Sequence, residues 1–225
     1  MEFLRTRGER TFRCRSFTVK FSIYGFAVAL SLLSVPISNR GQLSGIQQGT
    51  VQAQQHEARG NQEASAIYAI LQANDMGLTK GSVWDVVRTI LEESRKHALD
   101  PAVVLAIMWV ESRFRSSAVS TSGARGLMQL QPFVASAFAE NAGLEKWDGP
   151  KTLENPVINI KLGVYYLAYL HQKFKDMKLA LTAYLLGPTE VQNRLQENKV
   201  VSLDYARNVF AVAQNYRKQI QSVQE

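Results

Sequence analysis

The sequence predicts an all-α fold, with most of its helices in one globular domain that covers residues 82–219. Apolar residues recur every three or four positions in successive segments, which is the spacing of one face of an α-helix. Capping residues followed by proline mark helix starts at Asp100-Pro101 and at Asn155-Pro156. Segments in which apolar and polar residues alternate, as in strands, are scarce.

Seven helices of this domain follow from these signals in chain order. Ser82 is the expected N-cap of the first, with an acidic residue three positions later, close to a capping box. Gly187 and Pro188 end the fifth helix, and Thr189 is the expected cap of the sixth. The predicted helices cover residues 82–97, 101–114, 132–143, 156–176, 178–186, 189–197 and 203–219.

The remaining residues form two segments before the domain and a short tail at 220–225. Residues 1–37 combine a basic lead with an uncharged apolar run at 21–35, which is typical of an export signal or of an uncleaved signal anchor. This predicts a periplasmic or cell-envelope location, with attachment to the inner membrane if the signal is kept. Residues 38–81 are rich in Gln, Gly, Ser and Asn and favour a disordered or extended linker that could hold a short amphipathic helix at 64–73.

The net charge and the metal-binding residue types exclude only a few classes of function. The formal net charge is +7, of which residues 1–20 carry +4, so the rest of the chain is mildly basic and would suit an anionic polymer such as cell wall. No basic helix interleaved with aromatic residues or other nucleic-acid signature appears. The three histidines (His56, His97 and His171) lack ligand spacing, so no metal or other cofactor is predicted. Cys14 has no second cysteine with which to form an intrachain disulfide.

One carboxylate stands in a setting that suits acid–base chemistry. Glu111 lies near the end of the predicted helix 101–114, on the same side as Val104, Ile107 and Met108. Apolar neighbours disfavour the charged form of a carboxyl group and raise its pKa, as a general acid requires near neutral pH. A glutamate at a helix end is more often paired with a nearby arginine, so the position alone does not decide its role.

The residues around Glu111 decide in favour of the catalytic interpretation. The motif ESRF at 111–114, followed by S-x-x-GA-x-GLMQ at 120–129, closely resembles the catalytic segment of lytic transglycosylases related to the soluble lytic transglycosylase. The segments 155–167 and 183–188 resemble that family's long central helix and its Ala-Tyr-Asn-x-Gly element. Tyr205 fits the tyrosine of its last motif.

The resemblance implies a lysozyme-like helical domain, with room for a small β-hairpin in the loop after Glu111. It implies cleavage of the β-1,4 bond between N-acetylmuramic acid and N-acetylglucosamine, giving 1,6-anhydro ends, with Glu111 as acid and base. Peptidoglycan strands are then the substrate, and a secretion or conjugation apparatus is a compatible partner. The substrate-binding residues carried over are Ser120, Met128, Gln129, Tyr184 and Tyr205; for Met128 a core position is an equal alternative.

Two positions depart from the family pattern. Leu185 stands where the family usually has Asn, and Val201 stands where an acidic residue often precedes the last tyrosine. The interpretation we favour is an active enzyme with altered substrate positioning. A hydrolytic muramidase of goose-type lysozyme character, and a non-enzymatic wall-binding or secretion accessory that has lost turnover, are the alternatives.

Overall fold

The computed structural model describes residues 40–144 and 146–222, with the backbone alone for 40–50. Of the described residues, 52–144 and 146–222 belong to one compact unit. The described helices are α1 (Arg40–Gln72), α2 (Lys80–Lys96), α3 (Pro101–Ser112), α4 (Pro132–Phe138), a 3₁₀ helix (Pro150–Glu154), α5 (Pro156–Phe174), α6 (Met177–Leu186), α7 (Pro188–Gln196) and α8 (Asp204–Ser222).

The helical fold class is confirmed in this part of the chain. In place of a hairpin, the loop between α3 and α4 holds two isolated antiparallel bridges, Val119 with Arg125 and Arg125 with Leu130. None of the described helices is both long enough and apolar enough to cross a membrane. The predicted export segment at 1–37 lies outside the described residues.

Helix α3 forms the centre of the compact unit. Seven consecutive residues, 102–108, are buried, so the helix is apolar on all sides, as expected of a helix enclosed by others. It packs mainly against α8 and also against α2, while α5 packs against α2 and α6. Asp100 caps its first turn by accepting a hydrogen bond from the Ala102 N–H at 2.8 Å, which agrees with the predicted start.

The segment predicted as a linker contains a long helix. Helix α1 reaches Gln72, and its last two turns bury Ile67, Ile70 and Leu71 in the core of the domain. Tyr68 stacks on Trp84 of α2 at 4.4 Å between ring centroids. The compact body therefore includes these turns, ahead of the predicted boundary at residue 82, because their apolar stripe finds a tertiary partner that local composition does not reveal.

Several helix ends also differ from their predicted positions. Thr79, rather than Ser82, caps α2 and accepts a hydrogen bond from the Ser82 N–H at 3.3 Å. Gly187, rather than Thr189, precedes α7 with φ of +86°, a conformation that glycine adopts without strain. Helix α4 stops at Phe138, five residues before the predicted end, and a 3₁₀ helix occupies the predicted loop before α5.

Candidate active site

Glu111 occupies the last turn of α3, immediately before the chain reverses direction. Arg113 and Phe114 both adopt left-handed backbone conformations, with φ of 53° and 59°, which end the helix and turn the chain into the loop. Phe114 is completely buried beneath this turn. Glu111 is thereby held half-buried at the rim of the core rather than on the solvent face of the helix.

The environment of Glu111 favours its neutral form. Burial raises the pKa of this carboxyl group above its ordinary value of 4.5. The Tyr205 hydroxyl donates a hydrogen bond to Oε1 at 2.5 Å, which lowers the pKa, but burial is the larger effect. Within the described residues no hydrogen bond reaches Oε2. That oxygen is therefore the position available for a proton to be delivered to a substrate.

Two tyrosines beside Glu111 are fixed in their neutral forms. Burial, together with the Glu111 charge, raises the pKa of Tyr205 and of Tyr184 well above the ordinary value of 10.0. The Tyr184 hydroxyl donates to the Met128 carbonyl at 2.9 Å, 56 residues away in sequence. Both side chains remain hydrogen-bond donors at physiological pH, and they join α6, α8 and the loop to the end of α3.

The loop that carries the GLMQ motif is anchored by a residue that sequence analysis missed. Asn159, on α5, is completely buried. Its side-chain oxygen accepts from the Met128 N–H at 2.8 Å, and its amide donates to the carbonyls of Arg125 and Leu153 at 2.9 and 3.0 Å. An amide between two isoleucines, Ile158 and Ile160, was the signal that could have identified it. Gly126 (φ +78°) faces Asn159, and a Cβ there would lie 2.2 Å from the Asn159 amide nitrogen.

Met128 itself lies in the core. Its side chain is completely buried against Gly163, where an added Cβ would lie 2.4 Å from the Met128 sulfur. Of the two predictions for this residue, the structure therefore supports core packing rather than the floor of a groove. Its contribution to the site comes through its backbone, whose N–H and carbonyl are bound by Asn159 and Tyr184.

Gln129 and Ser120 differ in how they relate to the site. Gln129 has φ of 48°, and its amide donates to the carbonyls of Ala118 and Gly126 at 3.1 and 2.9 Å, so its side chain braces the loop. Ser120 accepts from the Ala124 N–H at 3.0 Å and bonds the Ser122 hydroxyl. These bonds hold the Ser120 hydroxyl within its own turn, and among the described residues no hydrogen bond joins it to Glu111.

A cleft of about 820 Å³ opens beside these residues and is bordered by Gln129 and Tyr184. We call it the aromatic cleft. Glu111 is not part of its lining, but Tyr184 is, and it lies close enough to Glu111 for the carboxylate charge to raise the tyrosine pKa. The other walls are mostly aromatic and aliphatic: Phe133, Phe138, Tyr166, Tyr169, Leu185 and Leu186.

Leu185 and Val201, the two residues that depart from the family pattern, lie in different environments. Leu185 lines the aromatic cleft with 54% of its surface exposed. Val201 is half-buried and packs against the core. No group of three or more His, Cys, Asp or Glu residues is placed to hold a metal ion in the part of the chain that the structure describes. The expectation of no metal or cofactor stays a prediction.

Known proteins resemble this chain over the same region. It is 32% identical to the soluble lytic murein transglycosylase of Salmonella typhimurium over 45% of this chain and 16% of that protein. It is 32% identical to the membrane-bound lytic murein transglycosylase E of Buchnera aphidicola over 49% of this chain and 56% of that protein. The chain therefore spans less than two thirds of the length of either relative.

A solved structure gives the same result. The lytic transglycosylase Slt of Pseudomonas aeruginosa, in an inactive glutamate-to-glutamine mutant, superposes with a TM-score of 0.53 at 30% identity, over 60% of this chain and 24% of that one. The family model of the transglycosylase SLT domain matches residues 88–204, which include Glu111, Gln129 and Tyr184. This chain belongs to the transglycosylase SLT domain family.

Proposed function

We propose that this chain is a peptidoglycan lytic transglycosylase that cleaves the β-1,4 bond between N-acetylmuramic acid and N-acetylglucosamine. The observation that carries the proposal is the state of Glu111. It is half-buried, its pKa is raised, and Tyr205 holds one of its oxygens while the other is available to substrate. A carboxyl group kept neutral in this way can donate a proton to a leaving group.

The reaction needs a single protein carboxyl group. Glu111 transfers its proton to the glycosidic oxygen as the bond from that oxygen to C1 of the muramic acid breaks. The substrate's acetamido oxygen stabilises the positive charge that develops at C1. The C6 hydroxyl of the same sugar then bonds to C1 and gives its proton to the Glu111 carboxylate, which restores the acid and leaves a 1,6-anhydro ring.

The surrounding carboxylates support this route over one that uses a second acid. Glycosidases generally place a second carboxyl group across the scissile bond as base or nucleophile. Among the described residues, the acidic side chain in the aromatic cleft is Glu190, which is paired with Arg194 at 2.6 Å. Glu154, next to the GLMQ loop, is paired with Arg125 at 2.6 Å.

The relatives support both the substrate and the location. Two of them are named lytic murein transglycosylases, one soluble and one membrane-bound. We therefore place this chain at the cell envelope with peptidoglycan strands as its substrate. Inner-membrane attachment through residues 1–37, and association with a secretion or conjugation apparatus, stay predictions.

A muropeptide digest tests the proposal directly. Purified sacculi treated with the protein should release fragments with 1,6-anhydro ends, which mass spectrometry identifies as one water lighter than hydrolysed ends. Fragments with hydrolysed ends would instead identify a muramidase. Binding to sacculi without release of any fragment would identify the accessory module.

The Tyr205→Phe variant tests whether the hydrogen bond from Tyr205 sets the pKa of Glu111 or only holds the side chain in position. In the wild type, the hydrogen bond from Tyr205 lowers the pKa of Glu111. Because phenylalanine cannot form this bond, the pKa of Glu111 should be higher in the variant. We expect the alkaline limb of the pH profile of kcat/KM to move to higher pH. We also expect kcat to fall about tenfold, the effect of losing a hydrogen bond to a charged group.

The matched control for this variant is Tyr68→Phe. Tyr68 stacks on Trp84 away from the site, so its change should leave the pH profile in place. If Tyr205→Phe lowered kcat but left the alkaline limb unmoved, Tyr205 would support the structure without setting the protonation of Glu111.

A further inference from the structure

Tyr166 carries a hydroxyl group that the described fold does not use. The residue lies on α5 and is only 6% exposed, and its ring packs against Phe138 and Tyr184 with 5.5 Å between ring centroids in both pairs. Among the described residues, no hydrogen bond reaches the Tyr166 hydroxyl. Because buried polar groups in folded proteins almost always have a hydrogen-bond partner, this hydroxyl needs one from solvent or from a ligand.

The accessible part of Tyr166 lies in the aromatic cleft, whose lining it shares with Tyr169 and Tyr184. Dense packing of the ring against its neighbours holds the side chain in this place. Burial, with a smaller effect of Tyr169, raises the pKa of Tyr166 to about 12, so the hydroxyl is neutral at physiological pH. The cleft therefore presents a fixed, uncharged group that can both donate and accept a hydrogen bond.

The two tyrosines nearest to Glu111 use their hydroxyls differently. The Tyr184 hydroxyl donates to the Met128 carbonyl, and the Tyr205 hydroxyl donates to Glu111, so each bond joins distant parts of the chain. A phenylalanine at position 166 would keep the ring contacts of the native residue and would lack only the hydroxyl. In the described part of the chain, the Tyr166 hydroxyl therefore adds no observed contact to the fold.

On the basis of the function proposed above, we propose that Tyr166 is a further substrate-binding residue, whose hydroxyl forms a hydrogen bond with a sugar hydroxyl in the aromatic cleft beside Tyr184. Sugar hydroxyls match this group because they too are uncharged and can both donate and accept. Binding replaces a hydrogen bond to solvent with one to the glycan. The substrate thereby supplies the partner that the fold does not.

Binding of a neutral sugar oligomer tests the role of Tyr166 without relying on turnover. The probe is the tetramer of N-acetylglucosamine, with Kd measured by calorimetry for the wild type and for Tyr166→Phe. Loss of one hydrogen bond between uncharged groups should weaken binding about fivefold. The Tm of the variant should not fall, because the hydroxyl has no partner within the described part of the fold.

Tyr165→Phe is the matched control, because it removes the same group from the neighbouring residue. Tyr165 packs edge-on against His97 at 5.6 Å and lies outside the lining of the cleft, so its change should leave Kd as in the wild type. Equal Kd values for the two variants would overturn the proposal, and so would a wild type that does not bind the tetramer. A lower Tm for Tyr166→Phe than for Tyr165→Phe would also overturn it, since the hydroxyl would then have a structural partner.

The two proposals can fail separately. If sacculi yield no anhydro products but the Kd of the tetramer depends on Tyr166, the catalytic proposal fails and the binding role stands. If anhydro products form while Kd does not respond to Tyr166→Phe, the role of Tyr166 alone is wrong.

Discussion

Replacing Glu111 by glutamine is expected to lower the rate of anhydro-product formation at least about a thousandfold, because one side chain serves as both acid and base and each such role contributes roughly 10²–10⁴-fold. Glutamine has nearly the same shape, and its carbonyl oxygen can still accept the hydroxyl of Tyr205. The variant loses the ability to give up or take up a proton. The measurement is the release of 1,6-anhydro fragments from sacculi, followed by mass spectrometry.

The same substitution should make the protein more stable at neutral pH. Because burial raises the pKa of Glu111 in the folded state, the ionised carboxylate destabilises the fold relative to a neutral amide. The wild type should match the variant most closely below the ordinary pKa of 4.5, and should lose stability relative to it as pH rises through the folded-state pKa. Thermal unfolding of both proteins across this range measures the difference.

Glu140→Gln is the control for both measurements. Glu140 is exposed and lies outside the lining of the aromatic cleft, so neither activity nor the pH dependence of Tm should change. A Glu111→Gln protein that released anhydro fragments at the wild-type rate would refute the assigned role. A Tm that fell at neutral pH would show that the amide disturbs the end of α3.

Replacing Asn159 by leucine should have the largest effect on stability. Leucine matches its size but leaves the Met128 N–H and the Leu153 carbonyl without a partner in the core, while the Arg125 carbonyl keeps its hydrogen bond from the Leu130 N–H. Each of these two buried polar groups costs about 1–3 kcal/mol when left unpaired, so the free energy of unfolding should fall by roughly 2–6 kcal/mol. Urea denaturation followed by circular dichroism measures this loss.

Activity should fall with stability in this variant, because Asn159 positions the loop that carries Met128 and Gln129. Asn208→Leu provides the comparison, since Asn208 lies on the exposed face of α8 and its change should stay within about 0.5 kcal/mol. A loss below about 1 kcal/mol for Asn159→Leu would mean that the loop finds other hydrogen-bond partners and that Asn159 is not its anchor.

Local patterns predicted the order of the helices in the domain well. The starts at Pro101 and Pro156 were correct because a capping side chain and a proline act within one turn of the chain. The packing of α1 against the domain was not predicted, because it depends on residues that are distant in the sequence. The stripe of Ile67 and Leu71 indicated a short amphipathic helix at 64–73, but the surfaces that bury these residues lie on other helices, so their place in the core could not be predicted.

In the candidate site, too, some features could be predicted from local patterns and others could not. The position of Glu111 beside apolar neighbours follows from helical spacing on α3, so its half-buried setting could be predicted. The pairing of Glu111 with Tyr205 joins residues 94 positions apart, and the bonds of Asn159 to the loop span about thirty. No local pattern specifies such contacts.

What the sequence determined by itself was therefore the helical class and the family motifs, and it pointed to Glu111 as the acid that we propose, since these depend on residue types at short, regular spacings. The tertiary structure alone decided that Met128 is a core residue, that Ser120 stays in its turn and that Leu185 faces the cleft. The physical reason is that burial and hydrogen-bond partners depend on which elements pack together, and packing is settled by the whole chain.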